Sequence, residues 1–162
     1  NWRMTIPAAF ERLPVNSEPW AEKINRNTDT VTTKDVAIDP ARVILLYGKD
    51  PANRITASTR MLHTPGRDEF LRLCREEEEL MYMGFELLFS GVKMDTAHTI
   101  EKVGELPFRT YRIKVAIPGK GTMHLVMFSR LFGQKVLTVT ILYTDQRKGA
   151  QLLAAWKQST FQ

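Results

Sequence analysis

The chain has 162 residues, 43% of them hydrophobic and 25% charged, which is typical of one globular domain and excludes disordered and fibrous proteins. Because no apolar run reaches the about 18 residues of a membrane helix, we expect a single domain over residues 1–162 with no membrane span. The net charge of +5 is spread along the chain, and without a zinc-finger spacing or an RNA-reading aromatic motif it predicts no nucleic-acid partner.

The first third of the chain predicts two short elements, an irregular segment and two strands. "WRMTIP" predicts a strand, and "AAFERLP" predicts a short helical turn that Pro14 ends. Residues 15–40 are rich in Asn, Thr and Asp and predict a long excursion over the surface. "ARVILLYG" and "NRITASTRMLH" then predict strands, separated by the turn-forming "KDPAN".

The clearest helix follows Pro65, with Asp68 and Glu69 in its first turn and Gly84 as its predicted end. Its residues at helical spacing are Phe70, Leu73, Cys74, Glu77, Leu80 and Met81. The run "REEEE" within it suggests either a carboxylate metal site or a solvated face. Successive helix residues point in different directions, so we favour the solvated face.

The second half predicts a sheet and a closing helix. "FELLFSGVKM" and "HTIEKV" predict strands, and residues 108–144 predict a long antiparallel meander. A helix of about a dozen residues starts near Asp145, with Leu152, Leu153 and Trp156 as its apolar stripe. The predicted fold class is α+β, with one mostly antiparallel sheet and flanking helices.

The segment "IPGKGT" resembles a phosphate loop but predicts a hairpin turn. Its lysine lies between two glycines and a strand follows it, whereas a phosphate loop continues into a helix. With Gly119 and Lys120 as a two-residue loop, the predicted pairs are Val115 with His124, Ile113 with Val126, Tyr111 with Phe128, and Arg109 with Arg130. A second turn at Gly133 and Gln134 predicts that Arg130 pairs with Leu137 and Phe128 with Val139.

Together the two turns predict one apolar sheet face formed by Tyr111, Ile113, Val115, Val126, Phe128, Leu137, Val139 and Ile141. The opposite face mixes apolar residues with basic side chains, among them Arg112 and Lys114. Such a face is either covered by a second helix layer or partly bare as a docking surface; we favour the covered arrangement.

The predicted register makes Arg109 and Arg130 the main candidates for a site. Two like charges facing each other are destabilising unless something compensates them. Glu101, Glu105 or exposure at the sheet margin would suffice; alternatively, the two guanidinium groups hold an anionic group of a ligand or partner. With Arg112 and Lys114, they form the candidate partner- or anion-binding residues.

Nothing in the sequence predicts catalysis, a metal or a cofactor. His63, His98 and His124 lie in different predicted strands without ligand spacing, and Ser90 lacks the context of a nucleophile elbow. Cys74 is the single cysteine, so no internal disulfide forms, and its place on a buried helix stripe indicates a core residue.

Two segments stand out beside the order of the elements: "MTIPAAF" near the start and "HLVMFSRLFGQKVLTVTILYTDQRKGAQLLAAWKQSTF" at the end. On these the chain resembles the PsbP-like family, which includes the extrinsic photosystem protein, a Ran-binding relative and bacterial envelope proteins. Phe10 stands where the family usually has a tryptophan after its first Ile-Pro. No functional residue is carried over from the family.

The resemblance implies an α/β/α sandwich and a non-enzymatic binding or accessory role. We expect a domain that docks a protein partner, is a monomer or weak dimer, and works in a bacterial envelope or secretion setting, as a periplasmic protein or lipoprotein. The cytoplasm stays open as a location. The alternative function is a small-ligand carrier with a pocket between sheet and helix.

Overall fold

A computed structural model describes residues 2–13 and 42–162 of the chain. Within these ranges the protein has a seven-stranded antiparallel sheet, a two-stranded sheet and two helices. The fold therefore contains both helices and strands, and the large sheet is its largest part. The excursion predicted for residues 15–40 lies outside the described residues. Neither described helix combines the length and apolar composition that crossing a membrane requires.

The large sheet has the strand order β2-β3-β4-β8-β7-β6-β5, so β5 and β2 are its edges. Its strands are β2 (Glu11–Arg12), β3 (Arg42–Asp50), β4 (Asn53–Met61), β5 (Met94–Val103), β6 (Leu106–Ile117), β7 (Gly121–Phe132) and β8 (Lys135–Tyr143). The helices are α1 (Arg67–Leu88) and α2 (Gln146–Lys157). The small sheet pairs β1 (Trp2–Arg3) with β9 (Thr160–Phe161).

The N-terminal segment differs from its prediction. The predicted helical turn at "AAFERLP" is wrong: residues 8 and 9 form a turn, and β2 then pairs with β3 through Glu11 and Gly48. Phe10 is 5% exposed and packs in the core, and its N–H donates to the carbonyl of Pro7. Burial of this ring and pairing of the next two residues with β3 outweigh the weak helical preference of so short a segment.

The helix predicted after Pro65 is present, but it continues past Gly84 to Leu88. The strand predicted for "FELLFSGVKM" is therefore wrong: its first four residues belong to α1, the next five form a turn and loop, and only Met94 lies in a strand. Phe85 follows Met81 by four residues, so it extends the buried stripe of α1 and is itself only 7% exposed. Burial of this ring offsets the cost of about 1 kcal/mol for glycine inside a helix.

The predicted β6–β7 register is wrong by one residue. Ile117 pairs with Gly121, so the loop contains three residues, and the N–H of Lys120 donates to the carbonyl of Ile117. Pro118 has no N–H to give to the strand ladder, so β6 ends before it. Gly119 and Gly121 take left-handed backbone angles, with φ of 71° and 90°.

A shift of one residue moves every side chain of a strand to the other face of the sheet. Val115 pairs with Met123 instead of His124, and Tyr111 pairs with Met127 instead of Phe128. The β7–β8 register agrees with its prediction, since Arg130 pairs with Leu137 and Phe128 with Val139. The single apolar face predicted from both turns is therefore divided between the two faces.

Each face of the large sheet carries its own apolar cluster. On one face, Phe128, Val139 and Ile141 pack with Leu152 and Trp156 of α2. On the other, Tyr111, Ile113, Val115, Leu125 and Met127 pack with Phe85 of α1. The apolar stripe predicted for the last helix is confirmed by the burial of Leu152 and Trp156, and Asp145 caps that helix by accepting from the N–H groups of Arg147 and Lys148.

We predict that Phe128→Ala lowers the free energy of unfolding by about 3 to 5 kcal/mol, because the substitution leaves a cavity beside Trp156 that the packed sheet cannot refill. Chemical denaturation of both proteins measures the loss. Phe132→Ala, on the same strand but at a ring that is 36% exposed, is the control and should cost clearly less. Equal losses for the two variants would contradict the assignment of Phe128 to the core.

Candidate functional site

An open groove of about 480 Å³ lies between α1 and the edge of the large sheet formed by β5 and β6. The helix contributes Arg75, Glu78, Glu79, Tyr82 and Met83, and the strands contribute His98, Arg109 and Tyr111. The groove combines aromatic rings and a thioether with charged groups of both signs. It is the candidate functional site.

Glu78 is the polar centre of this groove. Its Oε1 accepts from Arg109 Nε at 2.9 Å, and its Oε2 accepts from Arg109 Nη2 and from His98 Nε2, both at 2.9 Å. Since an ionised carboxylate only accepts hydrogen bonds, His98 carries a hydrogen on Nε2. Both carboxylate oxygens thus have a partner, and Glu78 holds Arg109 and His98 in position.

The surroundings of this triad are partly apolar. The Glu78 side chain is 9% exposed and that of Arg109 28%, whereas His98 is half exposed. The ring of His98 lies 4.8 Å from that of Tyr111. The hydrogen bonds to Glu78 raise the pKa of Arg109, which keeps the guanidinium charged, and burial raises the pKa of Tyr111, which keeps its hydroxyl protonated.

The interpretation of "REEEE" as a fully solvated face is wrong for two of its four glutamates. Glu77 and Glu78 fall on the buried stripe of α1 that also carries Cys74. Glu77 accepts from the Thr138 hydroxyl and lies 3.6 Å from Arg60, and burial raises its pKa. Arg60 and Arg109 of the sheet each pair with one of these two carboxylates, and the ion pairs offset the desolvation cost of their burial.

Arg109 and Arg130 do not face each other across the strands, so this predicted pair is wrong. In the observed register Arg109 pairs with Ser129, and its side chain lies on the face of the sheet that packs against α1, the α1 face. The face that packs against α2 is the α2 face. Arg130 lies over the rings of Phe108 and Phe132 on the α2 face, with the guanidinium carbon 5.9 and 5.3 Å from the ring centres. The carboxylate that compensates Arg109 is Glu78, and neither Glu101 nor Glu105 serves it.

Arg112 and Lys114 also lie on the α2 face, away from the groove. Arg112 binds Glu101 at 2.8 Å, and Lys157 of α2 binds the other oxygen of Glu101 at 2.6 Å. Lys114 is exposed and pairs across the strands with His124, whose pKa is lowered by burial and by the charges of Lys114 and Arg112. The structure therefore does not gather the four predicted residues into one site.

Sequence reasoning missed Glu78 and His98. A signal for Glu78 was present, because it follows Cys74 by four residues on the same predicted stripe. His98 had no comparable signal, since its neighbour Glu78 is 20 residues away in sequence. Cys74 is buried as predicted, and burial raises its pKa to about 12, so its thiol remains protonated.

The outer side of α1 carries an exposed apolar row next to the groove. Leu80, Met83 and Leu87 are 60%, 56% and 66% exposed. Their spacing of three and four residues places them on one side of the helix, and Met83 also lines the groove. The groove and this row together form a mixed surface, which we call the α1 surface.

No family model matches the sequence, and no curated protein matches it. The fold is similar to the solution structure of cyanobacterial PsbP (CyanoP) from Synechocystis sp. PCC 6803, with a TM-score of 0.55. The similarity covers 99% of this chain and 86% of that chain, at 8% sequence identity. The chain thus has a PsbP-like fold, and at this identity the similarity concerns the fold alone.

We predict that Arg109→Ala lowers the free energy of unfolding by about 3 kcal/mol, because it leaves the nearly buried Glu78 without its cation. Urea denaturation at neutral pH measures the loss. Arg72→Ala is the matched control, since Arg72 pairs with Glu69 and Glu76 on the exposed side of the same helix. A loss at Arg109 no larger than at Arg72 would contradict a structural role for the Glu78 pair.

We also predict a pH dependence at Glu101. Burial by itself would raise its pKa, but hydrogen bonds from Lys157, Arg112 and Thr99 outweigh burial and lower the pKa from 4.5 to about 2. A lowered folded-state pKa means that the stabilisation is complete above pH 4.5 and is lost as the pH falls towards 2. The stability difference between wild type and Glu101→Gln should therefore shrink over this range in denaturation curves. A constant difference would contradict the prediction.

Proposed function

We propose that the chain is a single non-catalytic domain, residues 1–162, with an α/β/α sandwich architecture, and that it docks a protein partner through the α1 surface. The observation that carries this proposal is the exposed row of Leu80, Met83 and Leu87 beside the groove. Exposed apolar groups that are contiguous and bordered by charges are typical of protein interaction sites.

The chemistry of the groove supports a binding role over a catalytic one. Glu78 is engaged in three hydrogen bonds with Arg109 and His98, so its carboxylate acts to position these two side chains. Arg75 and Glu79 at the rim have no ion pair among the described residues and can meet polar groups of a partner. The apolar row supplies buried area, and the rim charges supply orientation.

The PsbP-like fold supports an accessory role, in a bacterial envelope or secretion setting. A further proposed contact is Lys114 with Arg112 on the α2 face, for acidic groups of the partner. Lys114 is exposed, and no ion pair holds it within residues 2–13 and 42–162. A contact of this kind weakens as the salt concentration rises.

The second candidate function is a small-ligand carrier, and the groove itself favours it. Its volume of about 480 Å³ lies within the range of ligand pockets, and it lies between a helix and a sheet. Native mass spectrometry of protein purified from the host separates the two functions. A retained small molecule that is lost in Tyr82→Ala indicates the carrier, whereas a bound protein indicates docking.

The docking proposal is tested with protein recovered from the native host as wild type and as Leu87→Glu. We expect Leu87→Glu to weaken partner binding by at least about 10-fold, because a charge is placed in an apolar contact. Leu87 is 66% exposed, so the substitution leaves the fold intact, and a thermal melt verifies this.

The matched control is Gln151→Glu, which adds the same charge at an exposed position of α2. Its binding should equal that of wild type. If the partner binds Leu87→Glu and wild type equally well, docking through the α1 surface is rejected.

A further inference from the structure

The edge strand β5 leaves its outer backbone groups without a strand partner among the described residues. It pairs with β6 without interruption over ten residues, from Met94 to Val103. The opposite edge of the sheet, β2, has only two residues. Proteins commonly protect sheet edges by short strands, bulges, prolines or charges, because an open edge pairs with any suitable strand.

β5 shows little of this protection. Its pairing with β6 has no bulge, and its sequence "MDTAHTIEKV" contains no proline. Residues 96–100 have no acidic or lysine side chain, and Ile100 is 77% exposed, the highest value among the large hydrophobic residues that the structure describes. Among the described residues β5 is therefore an open, regular edge with an exposed isoleucine, and such an edge can accept a further strand.

We propose that two copies of this chain pair through β5, antiparallel, about a two-fold axis at Ala97. Such an axis stands perpendicular to the sheet, so side chains on the α1 face of one copy meet side chains on the α1 face of the other. The result is one continuous antiparallel sheet across both copies. The pairing does not depend on the proposed protein partner.

The self-complementarity of β5 favours Ala97 as the centre. In this register Ile100 faces Met94 of the second copy, so its exposed side chain gains an apolar neighbour. Lys93, the residue before β5, lies 3.6 Å from Asp95 of its own copy and comes opposite Glu101 of the second copy, twice by symmetry, while Asp95 faces Thr99. No like charges face each other. Glu101 also binds Arg112 and Lys157, so the added ion pair contributes less than the apolar contact and the backbone hydrogen bonds.

Neighbouring registers fit less well. A centre at His98 places Asp95 opposite Glu101 and leaves Ile100 facing Thr96. A centre at Thr99 places Ile100 opposite His98, and a centre at Ile100 places His98 opposite Lys102. Only the centre at Ala97 combines an apolar partner for Ile100 with opposite charges facing each other.

The pairing also changes the candidate site. His98 lines the groove and lies on β5, so the grooves of the two copies open towards the same axis. The two α1 helices then lie on the same face of the joined sheet, one on each side of the two-fold axis, and the sheet between them lines the bottom of the cleft. The binding site becomes one cleft to which both copies contribute.

The test is the oligomeric state of the full chain, measured by sedimentation equilibrium from low micromolar to millimolar concentration. Wild type should be a dimer at the upper concentrations. Ala97→Lys places two lysines opposite each other at the axis and should weaken dimerisation by at least about 10-fold. Ala97→Glu should do the same, and an equimolar mixture of the two variants should restore the dimer, which shows that both are folded.

Ala116→Lys is the matched control. Ala116 is also an exposed strand alanine on the α2 face, but it lies on β6, one residue past Val115, the last residue of β6 that pairs with β5. It should dimerise like wild type. As a second measurement, Ala97→Cys should form a disulfide-linked dimer on oxidation, since residues facing each other at an antiparallel axis lie within disulfide distance. Ala116→Cys should remain unlinked.

Three results would overturn the proposal. Wild type that is monomeric over the whole concentration range excludes the dimer. If Ala97→Lys leaves the dissociation constant of the dimer unchanged, pairing through β5 is excluded. A mixture of Ala97→Lys and Ala97→Glu that stays monomeric excludes the register centred on Ala97. None of these results concerns the protein partner, so the docking proposal is judged separately.

Discussion

The pairing of Ile117 with Gly121 determines which side chains of β6 meet each helix. Pro118 cannot donate to the ladder, so the strand ends at Ile117 and the loop takes three residues. From this point the alternation of β6 places Tyr111, Ile113 and Val115 towards Phe85 of α1. The same alternation brings Arg109 to Glu78. Both the second core and the candidate site therefore depend on one turn.

The two helices differ in where their polar contacts with the sheet lie: those of α2 are at its ends, at Lys148 and Lys157, whereas those of α1 lie within its buried stripe. α2 lies on the sheet through fully buried Leu152 and Trp156. α1 instead alternates apolar contacts at Leu73 and Phe85 with the carboxylates Glu77 and Glu78, each held by a cation of the sheet. Ion pairs of this kind add orientation more than stability. They define the position of the helix and leave a groove beside it.

Local pattern alone predicts β3, β4, the antiparallel meander from β6 to β8 and the closing helix, because these depend on spacing and turn residues near each other in sequence. The β7–β8 register was predictable for the same reason, since Gly133 and Gln134 form a two-residue turn. The β6–β7 register was not, because two glycines around one lysine allow loops of two or three residues. This ambiguity is the reason why Arg109 was wrongly predicted to pair with Arg130.

The candidate site could be predicted only in part. The stripe of α1 locates Glu77 and Glu78, but whether a carboxylate on such a stripe is buried depends on a cation from a distant strand. Arg109 lies 31 residues from Glu78, and His98 lies 20 residues away. Contacts of this separation arise from the fold as a whole. The helix length was misjudged for a similar reason, since burial of Phe85 is a tertiary effect that a local rule about Gly84 does not contain.

The pairing of Trp2 with Phe161 joins two points that are separated by nearly the whole described chain. Closing so long a loop has an entropic cost, and two-residue strands offset little of it, so we expect this small sheet to depend on the core around Trp156. It is held by the edge-on contact of Trp2 with Trp156 at 5.8 Å. The two paired strands thus hold Trp2 and Phe161 against the ring of Trp156, so a change in either strand acts directly on the core.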